Sequence, residues 1–99
     1  MTGANLVKTQ RSGPVVTLIL HRPERHNSLV PALLEELLAA LAEVNEDATA
    51  RAVVLGAAGK SFSTGGDVKA FFSAGDDLAA YAAETVGLLN AVILAMLRL

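Results

Sequence analysis

The sequence predicts an α/β fold. Two β-like runs divided by a turn open the chain, a helix with a continuous apolar face follows, and a short apolar strand then runs into a glycine-rich loop. Strand, crossover helix and strand in that order form a βαβ unit, right-handed by the usual preference, with its two strands parallel.

Residues 5–10 and 15–20 supply the two opening runs, and Arg11-Ser12-Gly13-Pro14 between them reads as a hairpin turn. His21-Arg22-Pro23 closes the second strand, because proline discourages continuation of the ladder. Asn27 or Ser28 is placed to cap the next helix, with Pro31 tolerated in its first turn. Leu29, Leu33, Leu37, Leu41 and Val44 then fall on one helical face, while Glu35, Glu36, Glu43 and Glu46 lie largely off it as a solvated face. Residues 45–49 end that helix. Residues 52–55 begin a strand without polar alternation, the pattern of a strand buried on both sides. Beyond the glycine loop, a short helix is expected over residues 68–73, a break over 74–77 and a long helix rich in alanine and leucine over 78–99. No internal repeat or low-complexity linker interrupts this order.

Composition narrows the function classes. A chain of 99 residues makes at most one domain, near the small end of what buries a good core. Its hydrophobic share is 53%, against a usual roughly 45–50% that even counts glycine, so it carries more apolar surface than its size comfortably hides. A net charge of −2 without a basic patch argues against nucleic acid as a partner. Cysteine is absent, which excludes disulfides and thiolate chemistry. His, Asp and Glu do not recur at metal-ligand intervals, so no metal is expected. The first residues lack a charged-then-apolar signal, which points to the cytoplasm. The longest apolar stretch, residues 86–97, is interrupted by Asn90 and is too short for a bilayer, so no membrane span is expected.

The segment Gly59-Lys60-Ser61-Phe62-Ser63-Thr64-Gly65-Gly66-Asp67-Val68-Lys69 carries the chemistry. It lies at the carboxyl end of a parallel strand, where open α/β sheets place their ligands. Two consecutive glycines remove the side chains that would keep a ligand from the backbone, and the helix start behind them favours negative charge. Such a loop suits stabilisation of a developing oxyanion. The plainer reading is a strand-to-helix connection in which Gly65 and Gly66 turn the chain and Asp67 caps the helix. A phosphate loop is excluded by spacing. Counting back from Gly59, the first glycine of G-x-x-x-x-G-K-[ST] should stand where Val54 lies inside the strand.

The same residues resemble the signature of the enoyl-CoA hydratase/isomerase, or crotonase, family: glycine, Lys60, Phe62, a small residue at Ser63, then Gly65-Gly66-Asp67-Val68-Lys69. Upstream, Val16-Thr17-Leu18-Ile19-Leu20-His21-Arg22-Pro23 followed by Asn27-Ser28-Leu29 is similar to the family's opening strand and its R-P-x-x-x-N-[SA]-L turn. The resemblance runs from about Val15 to the last residue. It implies a crotonase-like fold of repeated ββα units around a curved sheet. It also implies a cytoplasmic homo-oligomer, trimer or hexamer, of the lyase or isomerase class that acts on acyl-CoA thioesters in fatty acid metabolism. Coenzyme A then belongs to the substrate and no separate cofactor is expected. By the match, Gly66 supplies one of two backbone N–H donors to the thioester oxygen, and Ser63, Gly65, Asp67 and Val68 line the acyl-CoA site. The turn around Arg25 and His26 matches the segment that lies along the CoA moiety, where Arg25 meets a phosphate or stays a solvated loop arginine.

Other titratable residues carry less. His21 and His26 have no acid or nucleophile beside them in sequence and read as structural or solvated. Asp67 reads as a helix cap rather than a proton carrier, and Glu84 is a lone acid on a helix. The family pattern continues with a further strand and a second glycine-rich loop, which by the resemblance hold the second oxyanion donor and the acidic residues. The expectation over residues 1–99 is therefore the N-terminal portion of such an enzyme. The alternative is a non-catalytic acyl-CoA-binding or subunit-interaction fragment of the same fold.

Overall fold

The computed structural model describes residues 5–99. Strands β1 (Val7–Ser12) and β2 (Val15–Leu20) form the expected hairpin, but Arg11 and Ser12 stay in the ladder and the turn shrinks to Gly13-Pro14. Gly13 has a φ of +58°. Proline after it cannot take a positive φ, which leaves the II′ type of turn, whose twist suits a hairpin.

Helix α1 spans Pro31–Glu46, and neither Asn27 nor Ser28 caps it. The residue before its first turn is Val30, which offers no side-chain cap. Pro31 at the first helical position has no N–H that needs one. Asn27 and Ser28 are buried in the preceding turn with other partners. The apolar face is as expected with one addition: Leu33, Leu34, Leu37 and Leu41 are buried, whereas Leu29 and Val44 pack half-buried at its margin. Glu36 departs from the solvated acidic face. Its Oε1 accepts the N–H groups of Leu6 and Val7 at 2.8 and 3.2 Å, so it holds the start of the hairpin against α1.

Strand β3 (Ala52–Ala57) pairs in parallel with β2, in the order β1-β2-β3. The expectation that it is buried on both faces fails: Val54 is 49% exposed. Among the described residues its outer edge has no strand partner, and only one face of the sheet is covered. That face carries Val16, Leu18 and Leu20 of β2, which with the α1 leucines and Val92 make the core. Each fully buried leucine there contributes roughly 1.5–3 kcal/mol relative to exposure.

Helix α2 (Val68–Ser73), a single 3-10 turn at Gly75–Asp77 and helix α3 (Leu78–Leu97) complete the order, with boundaries close to those expected. Helix α3 packs on α1 through Val92, with Leu88, Leu89 and Ala95 half-buried beside it. With the preceding turn, Gly75–Leu97 is long and apolar enough to cross a membrane by length and composition. Its contact with α1 gives the alternative account, that of a helix whose apolar stripe serves a protein core. Either way the segment is longer than the residues 86–97 considered in sequence, because Ala79, Ala80, Ala82 and Ala83 extend it.

Candidate functional site

The turn after β2 and the loop after β3 lie side by side at the carboxyl ends of the two parallel strands. Hydrogen bonds, most of them partly shielded from solvent, hold them together. Gly59 comes so close to the turn that an added Cβ would stand 2.9 Å from Pro23 Cβ, and its φ of +85° independently requires glycine.

Asn27 is wholly buried and uses every polar group it has. Its Nδ2 donates to the carbonyls of Ala58 and Ser61 at 2.7 and 2.8 Å, and its Oδ1 accepts the Arg22 N–H at 2.7 Å. Its own N–H donates to the Arg22 carbonyl, and its carbonyl accepts the Ser63 hydroxyl at 2.8 Å. His26 and Asn27 both sit in the left-handed region, with φ of +55° and +54°. Asparagine tolerates that region better than most residues, and this bonding over-determines it.

Arg22 and Asp67 form the second tie. Arg22 Nη1 lies 2.8 Å from Asp67 Oδ2 and also reaches the Ser28 carbonyl and hydroxyl at 3.0 and 2.7 Å. The Ser28 hydroxyl in turn donates to Asp67. Asp67 Oδ1 accepts the Ala70 N–H at 3.0 Å, the cap expected for α2. The Ala70 N–H, then the Arg22 hydrogen bond, bring the carboxyl pKa down to about 2 against the opposing effect of burial. A carboxylate so committed does not serve as a general base near neutral pH, in keeping with its reading as a cap.

The two segments finally share a short parallel bridge between Leu29 and Gly66. Leu29 N–H donates to the Gly65 carbonyl at 2.7 Å, and Asp67 N–H donates to the Leu29 carbonyl at 3.1 Å. Gly65, with a φ of +86°, donates its N–H to Ser63 Oγ. Residues 65 and 67 are thus both held, and the N–H of Gly66 between them has no acceptor among the described residues. In a parallel bridge the central residue's N–H points away from the partner strand. Gly66 is exposed, and an added Cβ would meet Phe71 Cε2 at 3.0 Å.

An open cleft of about 440 Å³ lies over this arrangement, lined by Glu24, Arg25, His26, Ser28, Thr64, Gly66, Asp67, Val68 and Lys69. Of the residues singled out in sequence, it gathers Arg25, His26, Gly66, Asp67 and Val68. Ser63 and Gly65 are absent from its lining and shape the loop behind Gly66. Arg25 leans toward Asp67 at 3.7 Å and keeps part of its side chain in solvent. Sequence reasoning missed the roles of Arg22, Asn27 and Ser28. The signal was the R-P-x-x-x-N-S-L spacing, which sets an arginine, an asparagine and a serine in one tight turn. Among the described residues no cluster of His, Asp and Glu could hold a metal ion.

Comparison with known proteins shows the family and the fold. A family model described as enoyl-CoA hydratase/isomerase matches residues 10–95. The protein named probable enoyl-CoA hydratase echA12 from Mycobacterium bovis is 40% identical over 96% of this chain, and this chain spans 35% of that relative's length. The crystal structure of an enoyl-CoA hydratase from Mycobacterium smegmatis superposes with a TM-score of 0.81 at 36% identity, covering 91% of this chain and 35% of that one. The structure of PA4980 from Pseudomonas aeruginosa superposes with a TM-score of 0.82 at 31% identity, covering 93% of this chain and 39% of that one.

Proposed function

The chain belongs to the enoyl-CoA hydratase/isomerase family and has its crotonase-type fold, and from that premise we propose that its glycine loop stabilises the enolate oxygen of an acyl-CoA thioester through the Gly66 N–H. The observation that carries the reading is the isolation of that donor. The Gly65 carbonyl and the Asp67 N–H are bonded to Leu29 of the adjoining turn, whereas the Gly66 N–H has no acceptor among the described residues and stands at an open cleft. A thioester carbonyl gains charge as its α-carbon is deprotonated or its β-carbon attacked. A donor fixed in advance favours that charged state over the ground state, and one such donor is worth roughly 3 kcal/mol at the transition state. Arg25, beside the cleft and partly exposed, pairs with a phosphate of the CoA moiety. Coenzyme A is then part of the substrate, and the family chemistry is hydration or double-bond isomerisation in the cytoplasm.

A second reading, acyl-CoA binding without turnover, is favoured by one observation. Asp67, the buried acid beside Gly66, is fully engaged with Ala70, Arg22 and Ser28. Titration of crotonyl-CoA and of free CoA into isotope-labelled protein tests the first reading. The Gly66 amide resonance shifts with the acylated ligand and not with CoA alone; equal shifts, or none, end the oxyanion assignment. Turnover of crotonyl-CoA above the buffer blank on the same sample overturns the second reading.

A further inference from the structure

We infer that Asn27 is a positioning residue for the Gly66 N–H, acting from the opposite segment without touching the substrate. The inference rests on the oxyanion reading of Gly66 and adds the device that sets its geometry. The loop after β3 has few apolar anchors: Phe62 is exposed, and Ser61, Ser63 and Gly65 are only half-buried. Its position must therefore come from hydrogen bonds, and Asn27 supplies them at three points. The carboxamide donates to Ala58 and Ser61, which fixes the first half of the loop. The Asn27 carbonyl accepts the Ser63 hydroxyl, whose oxygen accepts the Gly65 N–H, which fixes the second half up to the residue before Gly66. Two residues further along the turn, Leu29 completes the register from both sides of Gly66.

The carboxamide is suited to this work because it presents two donors to two carbonyls and one acceptor to the Arg22 N–H at once. Aspartate has nearly the same shape but at neutral pH offers only acceptors. Leucine or alanine would leave two carbonyls and an N–H unpaired in a buried place. The left-handed backbone at residue 27 narrows the choice further.

Amide hydrogen exchange and chemical shifts of the full 99-residue chain test this in the parent, Asn27→Asp and Ser63→Ala. The Gly66 N–H, without an acceptor among the described residues, is followed by its chemical shift. The Leu29, Gly65 and Asp67 amides are followed by protection, and Val16 and Leu18 in β2 report the core. In both variants the three loop amides lose protection by roughly ten- to a hundredfold more than the β2 amides, the range expected for an unpaired buried group. The Gly66 shift moves with them. Loop amides unchanged in a folded Ser63→Ala, or falling only in step with β2, overturn the proposal. So does an Asn27→Asp chain that fails to fold while Ser63→Ala keeps its loop order, since Asn27 would then serve folding at large. None of these readouts needs a ligand. Failure of Gly66 to sense crotonyl-CoA sinks the oxyanion reading while leaving the positioning result intact.

Discussion

Arg22 and Asp67 stand 45 residues apart in sequence, yet their side chains meet at 2.8 Å, with Asp67 only 5% exposed. The pair joins the end of β2 to the start of α2, so it ties the two segments that frame the cleft. Removing one partner of a largely buried pair leaves the other charge without compensation. Arg22→Ala is therefore expected to cost about 2–3 kcal/mol, below the full range for a deeply buried pair because Ala70, Ser28 and Arg25 still face the carboxylate. Arg25→Ala, which removes a longer and more exposed partner, costs about 0.5 kcal/mol or less. Urea unfolding of the two variants checks the ranking, and equal losses would show that Arg22 holds no special place.

Acid stability follows from the same carboxylate. The Asp67 pKa is lowered from 3.8 to about 2. A depressed pKa means the group's contribution is fully present above its unfolded value and is lost as pH falls through the folded one. Stability should therefore decline between pH 3.8 and about 2. Asp47 titrates in that same window, because the Thr49 hydroxyl and then Arg11 hold it down to about 2 as well. Asp67→Asn removes part of the slope and Asp47→Asn another part. Thermal melts at stepped pH decide this, and a Asp67→Asn protein with the parent's full slope would take Asp67 out of the account.

The βαβ order, the hairpin and the leucine face of α1 were legible because apolar period and turn residues act locally. The position of the glycine loop followed from that order. What the sequence did not disclose is what long-range bonding decides. Asn27 reads locally as a helix cap, and only the return of the chain after β3 brings the carbonyls of Ala58 and Ser61 within its reach. Glu36 reads as one more solvated acid until the start of the hairpin crosses it. The exposure of Val54 was hidden for a different reason: an all-apolar run specifies faces that can be buried, and the burial itself depends on what is packed there.

Gly66 should tolerate alanine poorly for a reason of space. Its φ lies outside the left-handed region, but the new Cβ would press on Phe71 Cε2 at 3.0 Å. The Phe71 ring is in turn set edge-on against Tyr81, with centroids 5.2 Å apart. Gly66→Ala is expected to destabilise by about 1 kcal/mol through this crowding. In a Phe71→Leu background the same substitution should cost less, with a coupling of about 0.5 kcal/mol or more. Additive costs in a double-mutant cycle would mean that the ring already moves aside freely.

Helix α3 turns one stripe to the core and another to solvent, and the second stripe should drive association. Val92 is buried and Leu88 and Leu89 half-buried against α1, so part of the apolar surface expected from sequence is already used. Val86, Ile93 and Leu97 follow one another at helical spacing on the exposed side, with Leu94 next to them and Leu97 77% exposed. No charged residue lies between Glu84 and Arg98 to break the stripe. A continuous apolar surface of this kind is an association site. Sedimentation velocity at micromolar concentration is expected to show species larger than one chain, and Ile93→Glu with Leu97→Glu should shift them toward monomer without loss of helix content. Val92→Glu should instead unfold the chain, because it places a charge in the core. A parent chain that sediments as a monomer and binds no hydrophobic dye would mean that the stripe is covered within the single chain.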